Sequence, residues 1–371
     1  MQKKLIALAV AGVLAAPMAA QAASAEVYGK VRVSAGIVGN DDTAVGNDDS
    51  KISVTSHKSR FGVKGSEDLG DGLKAVYQFE SQVDFDDDNN GLFDGMRNTY
   101  VGLSGDFGMV LLGKHDTPYK LTKGKLDVWS DTHADYNAIM SDTHDARADN
   151  VIAYVSPDMN GLTFAGAYVT DLHDDNLADS TFYNVDGSVD GDGNPTHTAG
   201  DLEQSNEAIS LGVMYNSGPL YAGFGYQTLA EAGVPTSAEN EDAEGTKFSL
   251  GYKVGTTMLG FAYEIDDWGG DNNDQNRMFF SVNHGMGDGL NIKFAYTMAD
   301  DRGDTKDSGA THFALGVTKK VGDTTELYAL YTQLDNDANA SFDLDYVDSA
   351  GSPESSASAA VVGVNMKFSS M

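Results

Sequence analysis

The chain has no cysteine, which removes disulfides, zinc-thiolate sites and thiol nucleophiles and leaves stability to packing and hydrogen bonding. Basic residues are scarce. Lys and Arg number 24 against 56 Asp and Glu, for a formal net charge of -32, which argues against nucleic acid as a partner because phosphate binding needs clustered cations. Long apolar runs are also missing. Mean hydropathy is -0.32, and no window after Ala16 offers the roughly 20 apolar residues of a membrane-spanning helix. Proline is rare at 7 residues, whereas Gly reaches 42, Tyr 17 and Phe 16, a balance that suits one large all-β unit. Catalytic signatures are lacking too. The eight His are scattered, and His115, His133 and His144 lie near acids without a serine in a nucleophile turn. No Gly-rich loop precedes a helix, so neither an enzyme nor a nucleotide site is expected.

What is present begins with a targeting segment. Lys3 and Lys4 precede an apolar run from Leu5 to Ala16, then Pro17 and small residues, the pattern of a secretory signal peptide. Ala20-Gln21-Ala22 and Ala23-Ser24-Ala25 both fit a small-x-small cleavage site, so residues 1–25 are set apart with cleavage after Ala22 or Ala25. Residues 26–371 contain no Pro- or Ser-rich linker and are read as one domain.

Alternation then dominates. In Val27 to Ala35 the odd positions are apolar or small while Lys30, Arg32 and Ser34 share the other face. From Ser59 to Gln82, Phe61, Val63, Tyr77 and Phe79 lie on one parity; Arg60, Lys64, Gln78, Glu80 and Gln82 lie on the other. The same period recurs at Ile209 to Tyr215, Phe248 to Val254, Leu259 to Ile265, Leu290 to Met298, Phe313 to Val317 and Val362 to Phe368.

Connections between these strands are sorted by length. Short turns, such as Ser66 to Gly72 and Val254 to Thr257, take turns with stretches rich in Asp, Asn, Gly and Ser near 38–50, 84–95, 116–149, 171–206, 229–245, 266–275, 299–310 and 334–358. About sixteen strands of roughly 9–11 residues, with short turns at one end and long loops at the other, describe a transmembrane antiparallel β-barrel with periplasmic turns and external loops. Closure pairs every backbone group, so the apolar parity meets lipid. The charged parity lines an interior that sixteen strands leave too wide to fill with side chains. Arg32, Arg60, Lys64, Gln78 and Glu80 are therefore expected to face water.

Four ordered segments, "EVYGKVRVSAG", "SRFGVKGSEDLGDGLKAVYQFES", "RNTYVGLSGDFGMVLLGK" and "RADNVIAYVSPDMNG", resemble the general trimeric porin family of Gram-negative outer membranes. The resemblance implies that the third long loop, 116–149, folds into the pore and sets acids against a basic wall. Asp127, Asp131 and Asp135 are the expected acids, and Arg32, Arg60 and Lys114 the expected wall. Arg97 and Arg147, at the heads of two of the segments, join the lumen-facing set. The chain end departs from the family pattern: Ser369-Ser370-Met371 follow Phe368, which is expected to serve as the terminal aromatic.

The resemblance further implies a homotrimer in contact with outer-membrane lipid and lipopolysaccharide, passing ions and small hydrophilic solutes by passive diffusion. The acid excess adds a mild cation preference to that expectation. A substrate-specific porin and a non-channel adhesion protein are the alternatives. No cofactor is expected, beyond weak Ca2+ or Mg2+ at acidic loops. Asp186, Asp190 and Asp192 have calcium-like spacing, but Pro195 and Asp201 replace the Gly and Glu that an EF-hand loop needs.

Overall fold

The computed structural model describes residues 24–42, 47–86, 95–140, 144–170, 207–230, 242–269, 272–347 and 354–370. The first half contributes β1 (Ser24–Asp42), β2 (Asn47–Ser56), β3 (Arg60–Gly70), β4 (Leu73–Gln82), β5 (Thr99–Gly105), β6 (Gly108–Asp116), β7 (Arg147–Val155) and β8 (Leu162–Val169). The second half contributes β9 (Ala208–Ser217), β10 (Leu220–Leu229), β11 (Ala243–Val254), β12 (Thr257–Asp267), β13 (Asp274–Gly287), β14 (Leu290–Ala299), β15 (Ala310–Lys320), β16 (Thr325–Asn336) and β17 (Ser355–Ser369).

All seventeen segments form one antiparallel sheet that closes where β1 pairs with β17. They make sixteen barrel strands. Segments β2 and β3 lie end to end along β1, the former against Val33 to Asp42 and the latter against Ser24 to Lys30, so together they act as one strand of the closed sixteen-stranded barrel. Its interruption is His57-Lys58-Ser59, with Lys58 at φ +46°. The break leaves few backbone groups unpaired, because His57 N donates to Arg32 O, Val83 N to Ser59 O, and Arg32 N to Ser59 Oγ.

Burial bears out the outward parity, while Glu80, expected to face water, is buried. Outward Ile52, Val362 and Phe79 are 83%, 62% and 54% exposed, while inward Lys247, Glu264 and Gln227 are fully buried. A barrel in lipid inverts the soluble pattern in this way. Turns and loops also alternate as expected, with tight turns such as Asp71-Gly72, both at positive φ. One difference concerns the stretch near 38–50. It is mostly hairpin, because β1 and β2 stay paired out to Asp42 opposite Asn47.

Candidate functional site

Between β6 and β7 the chain does not arch over the barrel end but runs along the inner wall. Thr117 caps a short helix, α1 (Pro118–Leu121), its side chain accepting from Lys120 N, and Pro118 fits the first turn. Wall side chains of inward parity then hold the backbone. Ser210 Oγ on β9 accepts from Tyr119 N at 2.9 Å, Tyr221 OH on β10 donates to Thr122 O at 2.6 Å, and Ser281 Oγ on β13 donates to Leu126 O at 2.7 Å. From there the segment crosses toward β1 and β3.

Asp131, at φ +55°, carries the crossing. Its carboxylate lies 2.6 Å from Lys30 Nζ and 2.8 Å from Arg60 Nη2. Arg32 Nη1 donates to the carbonyls of Ser130 and Asp131, the latter at 2.7 Å. Arg60 also stands 4.0 Å from Glu80, which binds Arg97 at 2.8 Å and accepts from Tyr28 OH. Burial pushes the Asp131 carboxyl up, but Lys30, Arg60, Arg32 and Lys58 outweigh it and hold it well below the usual carboxylate range. It stays ionised.

The other expected acids behave differently. Asp135 caps the 3-10 turn Tyr136–Ala138 and accepts from Asp131 N at 2.7 Å, so it braces Asp131 instead of facing the wall. Asp127 must be corrected. It turns back to accept from Trp129 N at 3.0 Å instead of facing the wall, and burial together with Asp135 raises its carboxyl well above the usual range. Lys114 is a second correction. It sits where β6 and β7 slip register and binds Asp149 at 2.8 Å, outside the Asp131 cluster.

Of the remaining expected residues, Arg147 binds Asp116 at 2.9 Å, Gln78 reaches Asn98 O, and half-exposed Lys64 pairs with Glu26 near the turn end. Asp186, Asp190 and Asp192 lie outside the described residues. Lys30 and Lys58 were not among the expected residues. Lys30 shares the parity of Arg32 and was readable; Lys58 faces Asp345, Asp135 and Asp131 only because the strand breaks beside it.

A second cluster secures the return leg. Lys247 on β11 lies 2.5 Å from Asp145 and 3.4 Å from Glu264, and Tyr136 OH donates to Asp145 at 2.6 Å. Arg277 on β13 stands 3.3 Å from Asp266 and donates to Ile139 O. Burial, partly offset by Glu264, lowers the His144 imidazole to about 4 and keeps it neutral beside Asp266. His133 reaches the last long loop through the Asp345 carbonyl, 2.8 Å from Nδ1.

Comparison with known proteins gives this geometry its setting. The model of the Gram-negative porin family matches residues 7–339. The chain belongs to that family. The porin is 28% identical over 349 residues to outer membrane porin protein 32 of Delftia acidovorans, covering 91% of this chain and 90% of that one. Over a shorter stretch of 134 residues, 35% of this chain and 36% of the other, it is 36% identical to major outer membrane protein P.IB of Neisseria gonorrhoeae. Its fold matches the structure of the anion-selective porin from Comamonas acidovorans with a TM-score of 0.68 and 26% identity, covering 94% of this chain and 100% of that one. As a porin it is an outer-membrane channel of a Gram-negative bacterium and a passive one, not an enzyme.

Proposed function

We propose that segment 116–149 is the constriction of the channel and that the porin passes ions and small hydrophilic solutes by diffusion through the gap between this segment and the β1–β4 wall. The observation that carries this reading is the Asp131 carboxylate, reached across the barrel by Lys30 and Arg60. Opposed charges fixed at a narrow point orient polar solutes and penalise apolar ones, while the segment's bulk sets the size limit. No covalent step and no cofactor are needed. Divalent cations enter only as loosely held counter-ions of the acidic outer loops.

Charge selection follows the constriction more than the chain total. The net charge of -32 favours cations at the mouth. At the constriction, however, Asp131 is already shared by two cations, Asp127 is turned back onto Trp129 N, and Arg32 spends its hydrogen bonds on carbonyls. A cationic surplus there supports a mild anion preference, in line with the selectivity named for the Comamonas acidovorans porin. We read the assembly as a homotrimer in contact with lipopolysaccharide. Signal cleavage after Ala22 fits best, since Ser24 and Ala25 already pair with Ser66 and Gly65.

Planar-bilayer recording in a salt gradient tests the reading. Stepwise closure in threes and a reversal potential of anionic sign are expected. Absence of conductance from folded protein, or a reversal potential indifferent to charge at Asp131 and Arg32, would overturn it.

A further inference from the structure

The inner wall beneath α1 lacks side chains where the segment lies closest. Gly212 on β9 and Gly225 on β10 are direct cross-strand partners, and Gly223 lies two residues before Gly225 on the same inward face. A Cβ at Gly212 would stand 2.7 Å from Pro118 O, one at Gly223 2.4 Å from Thr122 O, and one at Gly225 2.9 Å from Thr122 Oγ1 and 3.1 Å from the Tyr119 ring. At Gly212 and Gly225 the three nearest atoms all belong to the constricting segment. None of the three has positive φ, so the reason for glycine there is space. Farther along, a Cβ at Gly245 would meet the His144 ring at 2.6 Å, and one at Gly251 would meet Leu126 at 2.7 Å.

Polar pins flank this floor. Ser210 and Tyr221, on the same two strands, hold Tyr119 N and Thr122 O. Floor and pins together fix both how near α1 comes to the wall and where along it α1 sits.

We propose that Gly212, Gly223 and Gly225, with Ser210 and Tyr221, form a socket that determines how far the constricting segment projects into the lumen, and hence the solute size limit. This rests on the reading of 116–149 as the constriction. Close-packed groups do not compress, so an added methyl moves the less anchored partner. That partner is α1, because the wall is held by a continuous hydrogen-bonded ladder.

The test is single-channel conductance and liposome swelling with sugars of graded size, on Gly212→Ala, Gly225→Ala and the corresponding valine variants. Gly166→Ala is the control, since a Cβ there meets only Leu211 at 3.5 Å. A Cβ at 2.7–2.9 Å must retreat to ordinary contact, a shift of under about 1 Å, so conductance should fall with alanine and fall further with valine. Swelling rates should fall most for the largest permeant sugar. Gly166→Ala should match the parent.

A second variant adds no bulk: Ser210→Ala with Tyr221→Phe removes the pins, and it should raise open-channel noise and speed proteolysis within 116–147. Folded Gly212 and Gly225 variants with parental conductance and size limit would overturn the proposal, as would a parental noise and cleavage profile in the pin variant. Asp131→Asn separates the two readings. If it shifts selectivity while the socket variants change nothing, the constriction stands and the socket fails; if it too changes nothing, the constriction itself is wrong.

Discussion

Replacing Asp131 with Asn removes one negative charge from the narrowest part of the proposed path while keeping side-chain volume. The segment should stay seated, because Arg32 binds the Ser130 and Asp131 carbonyls and Asp135 still accepts from the residue's own N–H. At about 6 Å, the approach of a hydrated monovalent ion, a unit charge in water is worth about 0.7 kcal/mol. Screening at 0.1 M salt, with a Debye length of about 10 Å, leaves roughly half of that. Loss of the charge then raises anion occupancy and lowers cation occupancy by about two-fold each, so the permeability ratio moves toward anions by about three- to four-fold. At 1 M salt, where the Debye length is about 3 Å, the shift shrinks to about 1.4-fold. Reversal potentials in asymmetric salt read both figures directly. A ratio unchanged at low salt, or moved toward cations, would refute the placement of this carboxylate on the ion path.

Other perturbations follow from the same geometry. Arg32→Ala should shift selectivity toward cations by a similar factor, read in the same recordings. Asp127→Asn should leave selectivity nearly as it is, since that carboxyl turns back onto Trp129 N and its burial beside Asp135 raises its pKa. Lys247→Met removes the cation shared by Asp145 and Glu264, leaving Asp145 paired with Lys123 at 3.6 Å, and should weaken seating of the return leg by about 3 kcal/mol, visible as channel noise and faster proteolysis of the segment. Acid should do part of the same. His144, packed among Glu264, Arg277, Lys247, Asp145 and Asp266, has its imidazole lowered from 6.5 to about 4, so the unseated form binds more protons between those values. Seating is then full above about pH 6.5 and loses up to about 3 kcal/mol as pH falls to about 4. Proteolytic sensitivity against pH should show this slope, and His144→Gln should flatten it.

The barrel was legible because its signals are local and repeated: period-two alternation and connections sorted by length need no tertiary information. Arg32 and Arg60 were legible for the same reason, as mid-strand cations on the inward parity. Lys30 carried that signal as well. Lys58 did not, since its position depends on a break in the strand that nothing in Ser56-His57-Lys58-Ser59 announces. The acids of the segment were readable as a set but not individually. Whether Asp127, Asp131 or Asp135 carries charge to the wall depends on which meets Lys30, which meets another carboxyl, and which caps a turn. The latch of Lys247 with Asp145 joins residues 102 apart, and parity alone names neither as the other's partner.

The seam between β1 and β17 has a consequence for how the molecule is made. Val27 N donates to Ser370 Oγ at 2.9 Å across 343 residues, and Ser370 N returns a bond to Val27 O, so the residues after Phe368 help to close the ring. Until β17 arrives, the nascent sheet has two open edges, each a row of unpaired donors and acceptors that neither lipid nor neighbouring chains can safely leave bare. Contacts of such separation also form slowly. A chain stopped short of β17 should therefore aggregate or be degraded rather than insert as a smaller pore, and the pairing of β17 acts as the checkpoint for β1.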